Sequence, residues 1–384
     1  MAIYLIVMMC TLTHAGFGGS RVVVALYALD LGASQFTIGV LMALYALCPM
    51  LFAVSIGKLA DRVGPRLPMT LGTVGVALAL LLPPMFPGMV TLYLSALLLG
   101  TSFHFFFVTV TGIAGGIGGA ENRSRNYALV SLGFSAAGFV GPMAAGFSID
   151  YLGHLPTFMV LATFTVIPIL FLLFRAGFLP KAVKHEGHSA KSSAFDLWRI
   201  PRLRNTFIAS GIISAAWDLF QFYFPVYGHS IGLSASAIGT VLGVFALATF
   251  VIRIVLPRLV QRSSEAEILT YSIFVAAGAF ALFPFFHGAY TLAAIAFLLG
   301  LGVGCGQPMS MSLIYTLAPP GRVAESAGLR VMANNFMHLV IPLAFGSVGA
   351  AFGYMPVFIT NSVMLVAGGI VMRRNNAPDP DSRT

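Results

Sequence analysis

Apolar runs of about twenty residues recur along the whole chain, and they restrict it to folds that lie within a lipid bilayer. A helix needs ~20 apolar residues to cross a hydrocarbon core about 30 Å thick. Twelve runs of that kind are visible, at roughly residues 3–29, 36–57, 67–87, 90–115, 127–149, 155–175, 204–228, 234–256, 267–286, 289–316, 327–350 and 354–372. Because 58% of the 384 residues are hydrophobic and only 9% are charged, too little polar surface remains for a water-soluble protein.

The runs lack the two-residue alternation of membrane β-strands, so we predict helices, which satisfy their own backbone hydrogen bonds in lipid. The expected fold class is therefore an all-α integral membrane protein with twelve transmembrane helices. Residues 1–13 have no basic segment and continue into a longer apolar run, which predicts an uncleaved first helix rather than an export signal.

Lys and Arg are distributed asymmetrically between the two sets of loops. The loops after even-numbered runs contain, among others, Lys58, Arg125, Lys184 and Arg258, whereas those after odd-numbered runs contain none. By the positive-inside rule, both termini are expected in the cytoplasm, with the protein in the inner (plasma) membrane. The net charge of +9 then faces anionic lipid, and no aromatic-basic pattern suggests nucleic acid.

A polar segment divides the chain into two similar halves. Residues 176–203 are expected to be a cytoplasmic linker between bundles at 1–175 and 204–374, and residues 375–384 a disordered tail. Residues recur at a constant offset of 200, including Gly39 with Gly239 and Pro142 with Pro342. Since each half has six runs, we expect the halves to be parallel and related by an axis along the membrane normal.

The loop after the second run carries a recognisable motif. Residues 57–66 read Gly-Lys-Leu-Ala-Asp-Arg-Val-Gly-Pro-Arg, which is similar to the signature of the major facilitator superfamily, with Pro65 replacing one basic residue. The whole chain resembles this family, in particular its twelve-helix drug and metabolite efflux branch. The resemblance implies two six-helix bundles around a central path.

The resemblance also implies a conformational gate at the cytoplasmic side, formed by Gly57, Asp61, Arg62, Gly64 and Arg66. A carboxylate near helix N-termini and basic side chains is electrostatically favoured, which makes such a gate physically reasonable. Gln261 occupies the position equivalent to Asp61, so we expect a strong gate only in the first half. The alternative is that these charges merely keep the loop out of the bilayer.

A glycine-proline run in the fifth helix is similar to a motif of the family's proton-coupled exporters. It consists of Gly138, Gly141, Pro142 and Gly146. Close helix packing explains these small residues almost as well. Residues 90–115 lack the Arg that the family's drug-proton antiporters usually carry in helix 4, so any proton coupling must use other groups.

Ionisable residues inside apolar runs are costly and therefore serve as candidate sites. Proton coupling or substrate handling is assigned to Arg21, Asp218, His104 and His14. The spacing puts Arg21 and Asp218 on equivalent faces of helices 1 and 7, which the resemblance implies line the path. A static ion pair remains the alternative for Asp218, and a packing role the alternative for His104.

Polar and aromatic residues near these charges are candidate substrate contacts, with interhelical hydrogen bonding as the alternative. They are Gln221, Gln307, Asn334, His338 and Trp217. Arg253 lies close to the end of helix 8, where we expect it to extend to the membrane surface in a structural role. Phenylalanines around His104 suit an amphiphilic or aromatic cargo.

Together these features predict a secondary active transporter for a small organic solute, most simply a proton-coupled exporter. An uptake symporter or exchanger for organic anions is the alternative, and an intramembrane sensor or enzyme a remote one. No nucleotide loop, His-Glu-x-x-His motif or Cys cluster is present, so we expect no cofactor, no metal and no catalysis. Membrane lipid and protons are the other expected partners, and the protein is expected to act as a monomer.

Overall fold

The computed structural model describes residues 2–114, 117, 122–174, 177, 179, 194–319 and 322–373. Within helices, nothing is described of the side chains of residues 53, 54, 57, 58, 61, 123, 124, 194, 195, 323 and 324. The predicted tail 375–384 and most of the predicted linker 176–203 lie outside the described residues. The domain boundaries therefore stay predictions.

The described part of the chain contains twelve helices long and apolar enough to cross a membrane. In chain order they are α1 Ala2–Asp30, α2 Gln35–Val63, α3 Arg66–Met85, α4 Met89–Ala114, α5 Arg123–Leu152, α6 His154–Phe174, α7 Pro201–Ser230, α8 Ala235–Val260, α9 Glu265–Leu282, α10 Ala289–Gly304 continued by Gly306–Leu317, α11 Val323–Phe352 and α12 Tyr354–Arg373. Short 3-10 helices lie at Ala194–Arg199 and Phe283–Phe285. The predicted all-helical, twelve-span fold is confirmed.

The same turn begins the second helix of each half, which is the internal repeat expressed in backbone geometry. Gly32 and Gly232 have φ of 79° and 80°, a left-handed conformation that favours glycine. Two residues later, Ser34 and Ser234 cap α2 and α8, each accepting a backbone N–H at 3.2 Å. The sequence repeat therefore encodes equivalent helix starts.

Helices α5 and α8 form one interface between the halves, and α2 and α11 form the other. A Cβ added at Gly239 would lie 2.4 Å from the carbonyl oxygen of Pro142, and one at Gly39 would lie 2.3 Å from that of Pro342. The backbones thus approach so closely that only glycine fits. These are the same contact in the two halves, since the residues correspond at the offset of 200.

Polar contacts join the halves at one end of the bundle, which we call the closed end, near the loops 31–34 and 231–234. The Asp150 carboxylate accepts the backbone N–H groups of Ala235 and Ser236 at 3.0 and 2.8 Å. At the other interface, the Tyr223 hydroxyl donates to Gln35 Oε1 at 2.7 Å. The opposite end, where the exposed residues Arg62, Arg66, Arg125 and Arg258 lie, is called the basic end.

Candidate functional site

A cavity of about 370 Å³ lies between the two halves. Helices α1, α2, α4 and α5 of the first half and α7, α8, α10 and α11 of the second contribute to its wall. Its lining residues are His14, Phe17, Arg21, Tyr45, Ala46, Pro49, Gly100, Phe103, His104, Phe107, Phe134, Ile213, Ser214, Trp217, Asp218, Arg253, Val303, Gln307, Asn335 and His338. Aromatic walls with a few polar groups are typical of small-molecule sites.

Asp218 is the acidic side chain among these lining residues, and groups from both halves surround it. Its side chain is 6% exposed. Arg21 Nη1 lies 3.4 Å from Asp218 Oδ1, while His338 Nδ1 forms a hydrogen bond with Asp218 Oδ2. The carboxylate therefore connects α1 of the first half with α7 and α11 of the second. Because a buried charge is costly without partners, these contacts account for its presence in the membrane.

The two first-half histidines of the cavity wall, His14 and His104, have mainly aromatic surroundings. His14 packs against Phe103 and Phe134 with ring centroids 5.0 and 4.9 Å apart, and its buried Nδ1 has no hydrogen-bond partner among the described residues. His104 lies 6.0 Å from the Phe107 ring and also faces the cavity. Their assigned roles in proton handling stay predictions.

Gln307 and Asn334 belong to a polar cluster around Arg330, a residue that the sequence analysis did not single out. Arg330 is buried and donates from Nη1 to Gln307 Oε1 at 2.8 Å and to the hydroxyls of Ser210 and Ser310 at 3.3 and 3.2 Å. Ser210 in turn donates to Asn334 Oδ1 at 3.2 Å. The sequence does contain a signal for Arg330, because the equivalent position of the first half holds the apolar residue Val130. Gln307 extends this cluster to the cavity wall.

The expectation that Arg253 reaches the membrane surface is wrong. Its Nη1 donates to the hydroxyls of Ser131 and Ser135 on α5, at 2.9 and 3.0 Å, and the side chain lines the cavity. The physical reason is that α5 packs along α8 and presents two serine acceptors to the guanidinium. Proximity to a helix end in sequence could not reveal which face of α8 is covered.

Gln221 lines a smaller adjoining cavity of about 130 Å³ rather than the main one. Trp217 lines both cavities and packs edge-on against Phe245 with ring centroids 4.9 Å apart. The predicted contact residues Trp217, Gln307 and His338 thus share the main cavity, whereas Gln221 and Asn334 do not line it.

The family model described as Major Facilitator Superfamily matches residues 6–342. The chain belongs to the Major Facilitator Superfamily. Its family is one of transporters rather than enzymes, so the chain is an integral multi-pass membrane transporter.

Relatives with assigned names include two resistance proteins. The tetracycline resistance protein, class H, of Pasteurella multocida is 25% identical over 319 residues, covering 80% of this chain and 78% of that protein. The multidrug resistance protein MdtG of Klebsiella pneumoniae (strain 342) is 26% identical over 380 residues, covering 94% and 89%. The predicted resemblance to the efflux branch of the superfamily is confirmed.

Solved structures share the fold at low sequence identity. A mutant of the nucleoside transporter NupG superposes with a TM-score of 0.83 at 14% identity, covering 98% of this chain and 100% of that one. A POT family transporter in complex with 5-aminolevulinic acid gives 0.80 at 12% identity, covering 97% and 95%. At these identities the likeness shows the superfamily fold alone.

The superfamily signature loop is described only in part. Nothing beyond their place in α2 is described for Gly57 and Asp61, so the predicted gate stays a prediction. Gly64 has φ 81°, which requires glycine at the end of α2. Arg66 donates from Nε and Nη2 to the carbonyl oxygens of Leu172 and Leu173 at 3.1 and 2.7 Å, capping the end of α6, while Arg62 is exposed.

The glycine-proline run of this transporter lies between α1 and α8. A Cβ at Gly141 would meet the Ala15 carbonyl oxygen of α1 at 2.4 Å, and one at Gly146 would meet the Ala235 carbonyl oxygen of α8 at 2.2 Å. Gly138 is less constrained, with the nearest atom, the Ala246 Cβ, at 3.4 Å. The run thus allows α5 to contact a helix of its own half and one of the other half.

Proposed function

We propose that this transporter exports a small organic solute in exchange for protons, from the cytoplasm through the inner membrane. The observation that carries the proposal is Asp218, a buried carboxylate in the cavity between the halves that is held by Arg21 and His338. Intramembrane carboxylates and histidines are the groups from which proton relays are built.

Protonation of Asp218 would change the link between the halves. The ionised carboxylate attracts Arg21 of α1 across the cavity, and a neutral carboxyl group loses most of that attraction. The link is thereby coupled to the local proton concentration. A contact that exists in one charge state and weakens in the other can shift a two-state equilibrium, as alternating access requires.

The seal at the closed end supports alternating access. Asp150 and Gln35 join the halves there through bonds to α8 and to Tyr223. In the opposite state these bonds would open, and the gate residues Gly57, Asp61, Arg62, Gly64 and Arg66 would close the basic end. The sequence asymmetry of Lys and Arg supports a cytoplasmic basic end. Since both halves form one cavity, a monomer would be sufficient.

Export, rather than uptake, is supported by the resistance proteins among the relatives and by the aromatic cavity wall. An uptake symporter or exchanger for organic anions is the second candidate. The specific observation in its favour is the excess of cationic side chains, Arg21 and Arg253 against Asp218, in the cavity.

The test is solute movement in proteoliposomes under an imposed pH gradient, with a panel of cationic, neutral and anionic aromatic solutes. A proton antiporter accumulates solute in the acidic compartment, whereas a symporter accumulates it in the alkaline one. Protein-free liposomes correct for passive trapping of weak bases and acids.

Asp218→Asn removes the titrating group, so we expect gradient-driven accumulation to fall by at least about tenfold, because the neutral amide cannot take up and release a proton. Exchange of preloaded solute without a gradient should persist. Asp196→Asn, at an exposed carboxylate of the 3-10 helix, is the matched control and should leave accumulation unchanged. Unchanged gradient-driven transport in both Asp218→Asn and His338→Gln would contradict the proposal, and accumulation on the alkaline side would favour the symporter.

A further inference from the structure

The charges inside the membrane do not balance. Two arginines, Arg21 and Arg253, line the cavity, and a third, Arg330, is buried beside it, whereas Asp218 is the one carboxylate among the lining residues. Asp218 contacts Arg21 and His338. No described carboxylate forms an ion pair with Arg253 or Arg330.

Arg253 is the uncompensated cation that a cargo can reach. It lines both the main and the adjoining cavity. Its hydrogen bonds to described residues go from Nη1 to the hydroxyls of Ser131 and Ser135, which leaves the Nε and Nη2 groups without such a bond. Hydroxyls accept hydrogen bonds but do not neutralise a charge, and buried charges are normally paired with an opposite charge. Arg253 therefore has no opposite charge beside it among the described residues.

Arg330 differs because its cluster separates it from the cavity. It is buried and held by Gln307, Ser210 and Ser310, and of these Gln307 lines the main cavity. Its positive charge nevertheless acts through a medium of low polarity and adds to the potential around Arg253. The cavity is therefore cationic apart from the Asp218 contact.

The walls beside the guanidinium are aromatic. Phe103, Phe107 and Phe134 form one side of the main cavity, with Phe103 stacked on Phe17 at 4.0 Å, and Trp217 forms the other. A planar apolar group would pack against these rings, while a guanidinium fork matches the geometry of a carboxylate. These are the two parts of an aromatic or arylalkyl carboxylate.

We propose that the cargo of this transporter is an organic anion, an aromatic or amphiphilic carboxylate whose charged group pairs with Arg253 of α8. This inference rests on the proposed role of the cavity as a transport site, but it does not depend on proton coupling or on the direction of transport. Since Arg253 binds α5 of the other half, the bound anion would lie at the interface that must rearrange during transport.

The test is equilibrium binding to the purified full-length chain at one pH and without a gradient. Trp217 fluorescence reports binding in a Trp198→Phe background, because the chain has two tryptophans. The probes are 4-phenylbutyrate, 4-phenylbutyramide and 4-phenylbutylammonium, which share a ring and a chain and differ in charge. We expect the carboxylate to bind at least about tenfold more tightly than the amide and the ammonium probe.

Arg253→Gln should weaken carboxylate binding about thirtyfold, the scale for removing one partner of a desolvated charge pair, and should leave amide binding unchanged. Arg258→Gln removes the same charge from an exposed position on α8 and is the matched control, expected to keep the preference. Asp218→Asn removes a repelling charge from the cavity and should strengthen carboxylate binding.

The preference for the carboxylate over the amide distinguishes ligand binding from a structural role. A structural Arg253 predicts a lower melting temperature in Arg253→Gln with an unchanged preference, and that result overturns the proposal. A carboxylate affinity no higher than that of the amide, including binding of neither at millimolar concentration, also overturns it. If Arg253→Gln does not fold, Arg253→Lys serves instead, since it keeps the charge but loses the fork and should weaken only the carboxylate.

Failure of the proposed function gives a different pattern. Carboxylate binding that depends on Arg253, together with transport that is indifferent to the pH gradient, would refute proton coupling and retain the anion site. Gradient-driven transport of solutes without a preference for carboxylates would refute the anion site and retain proton coupling.

Discussion

At the scale of single residues, Arg330 illustrates how a membrane charge is tolerated without an acid. Gln307 supplies the shortest of its contacts, at 2.8 Å, and Ser210 and Ser310 supply weaker ones. Its Nε is buried without a partner among the described residues. The guanidinium therefore depends strongly on the one amide oxygen.

Removing that acceptor should cost more than removing the charge itself. We expect Gln307→Leu to destabilise the protein by about 1–3 kcal/mol, the penalty for leaving a buried polar group unsatisfied. Arg330→Met replaces the guanidinium by an apolar chain, and it should change stability by less than about 1 kcal/mol, because Ser210 and Ser310 keep their own acceptors and Gln307 reaches the cavity.

Melting temperatures in detergent measure both effects, and the double variant should resemble Arg330→Met alone. An Arg330→Met protein that melts well below Gln307→Leu would show instead that the guanidinium itself stabilises the fold.

At the scale of helices, glycine decides how closely the halves approach. Gly239 of α8 and Gly39 of α2 each face a proline carbonyl oxygen at a distance where a Cβ has no room. By contrast, Gly278 of α9 has open space around its Cβ position. The same substitution should therefore have opposite effects at these positions.

Gly239→Ala should lower stability by about 1–3 kcal/mol through overpacking of the α5–α8 interface. Gly278→Ala should raise it by up to about 1 kcal/mol, because alanine has the higher helix propensity. Thermal unfolding of the two variants beside the parent checks the contrast. Equal melting temperatures for both would mean that the close approach at Pro142 is not a feature of the dominant state.

At the scale of the whole molecule, the two interfaces at the closed end differ in charge. Asp150 bridges from α5 to the first turn of α8, so it acts as an acidic cap on a helix of the other half. The equivalent position at the α2–α11 interface is Ala350, where the neutral Tyr223–Gln35 bond lies nearby. Among the described contacts, a charged side chain thus joins the halves at the closed end only at the α5–α8 interface.

Asp150→Asn should open the closed end more often, because it removes the negative charge at the start of α8 and one of the two acceptor oxygens, a loss of about 0.5–2 kcal/mol. Access to the cavity from the closed end can be measured with a single cysteine in its wall. Ala46→Cys provides it in a protein whose Cys10, Cys48 and Cys305 are replaced by Ser. When a membrane-impermeant thiol reagent is added on the closed-end side, Asp150→Asn should raise the labelling rate of this cysteine about two- to thirtyfold.

Asp30→Asn is the matched control, since Asp30 pairs with His154 within the first half at 2.8 Å and does not bridge the halves. Its labelling rate should equal that of the parent. If Asp150→Asn also leaves the rate unchanged, the carboxylate does not hold the closed end.

The sequence alone determined the environment, the fold class and the repeat. Apolar runs long enough to span lipid predict helices irrespective of what each helix contacts, and the turn at Gly32 recurs at Gly232 because it is a local backbone requirement. The candidates Arg21, Asp218 and His104 were also accessible, because any ionisable residue in an apolar run stands out.

Only the tertiary structure decided which of these groups meet. His338 contacts Asp218 and Arg253 faces Ser131 and Ser135, across residue separations for which no sequence pattern exists. The surroundings of Arg330 likewise come from other helices, since Ser210 of α7 and Gln307 of α10 accept its hydrogen bonds. Periodicity tells which residues share a face of one helix, whereas the site depends on how separate helices rotate and pack. That arrangement is set by the glycine contacts between helices and by the balance of charges that they bring together.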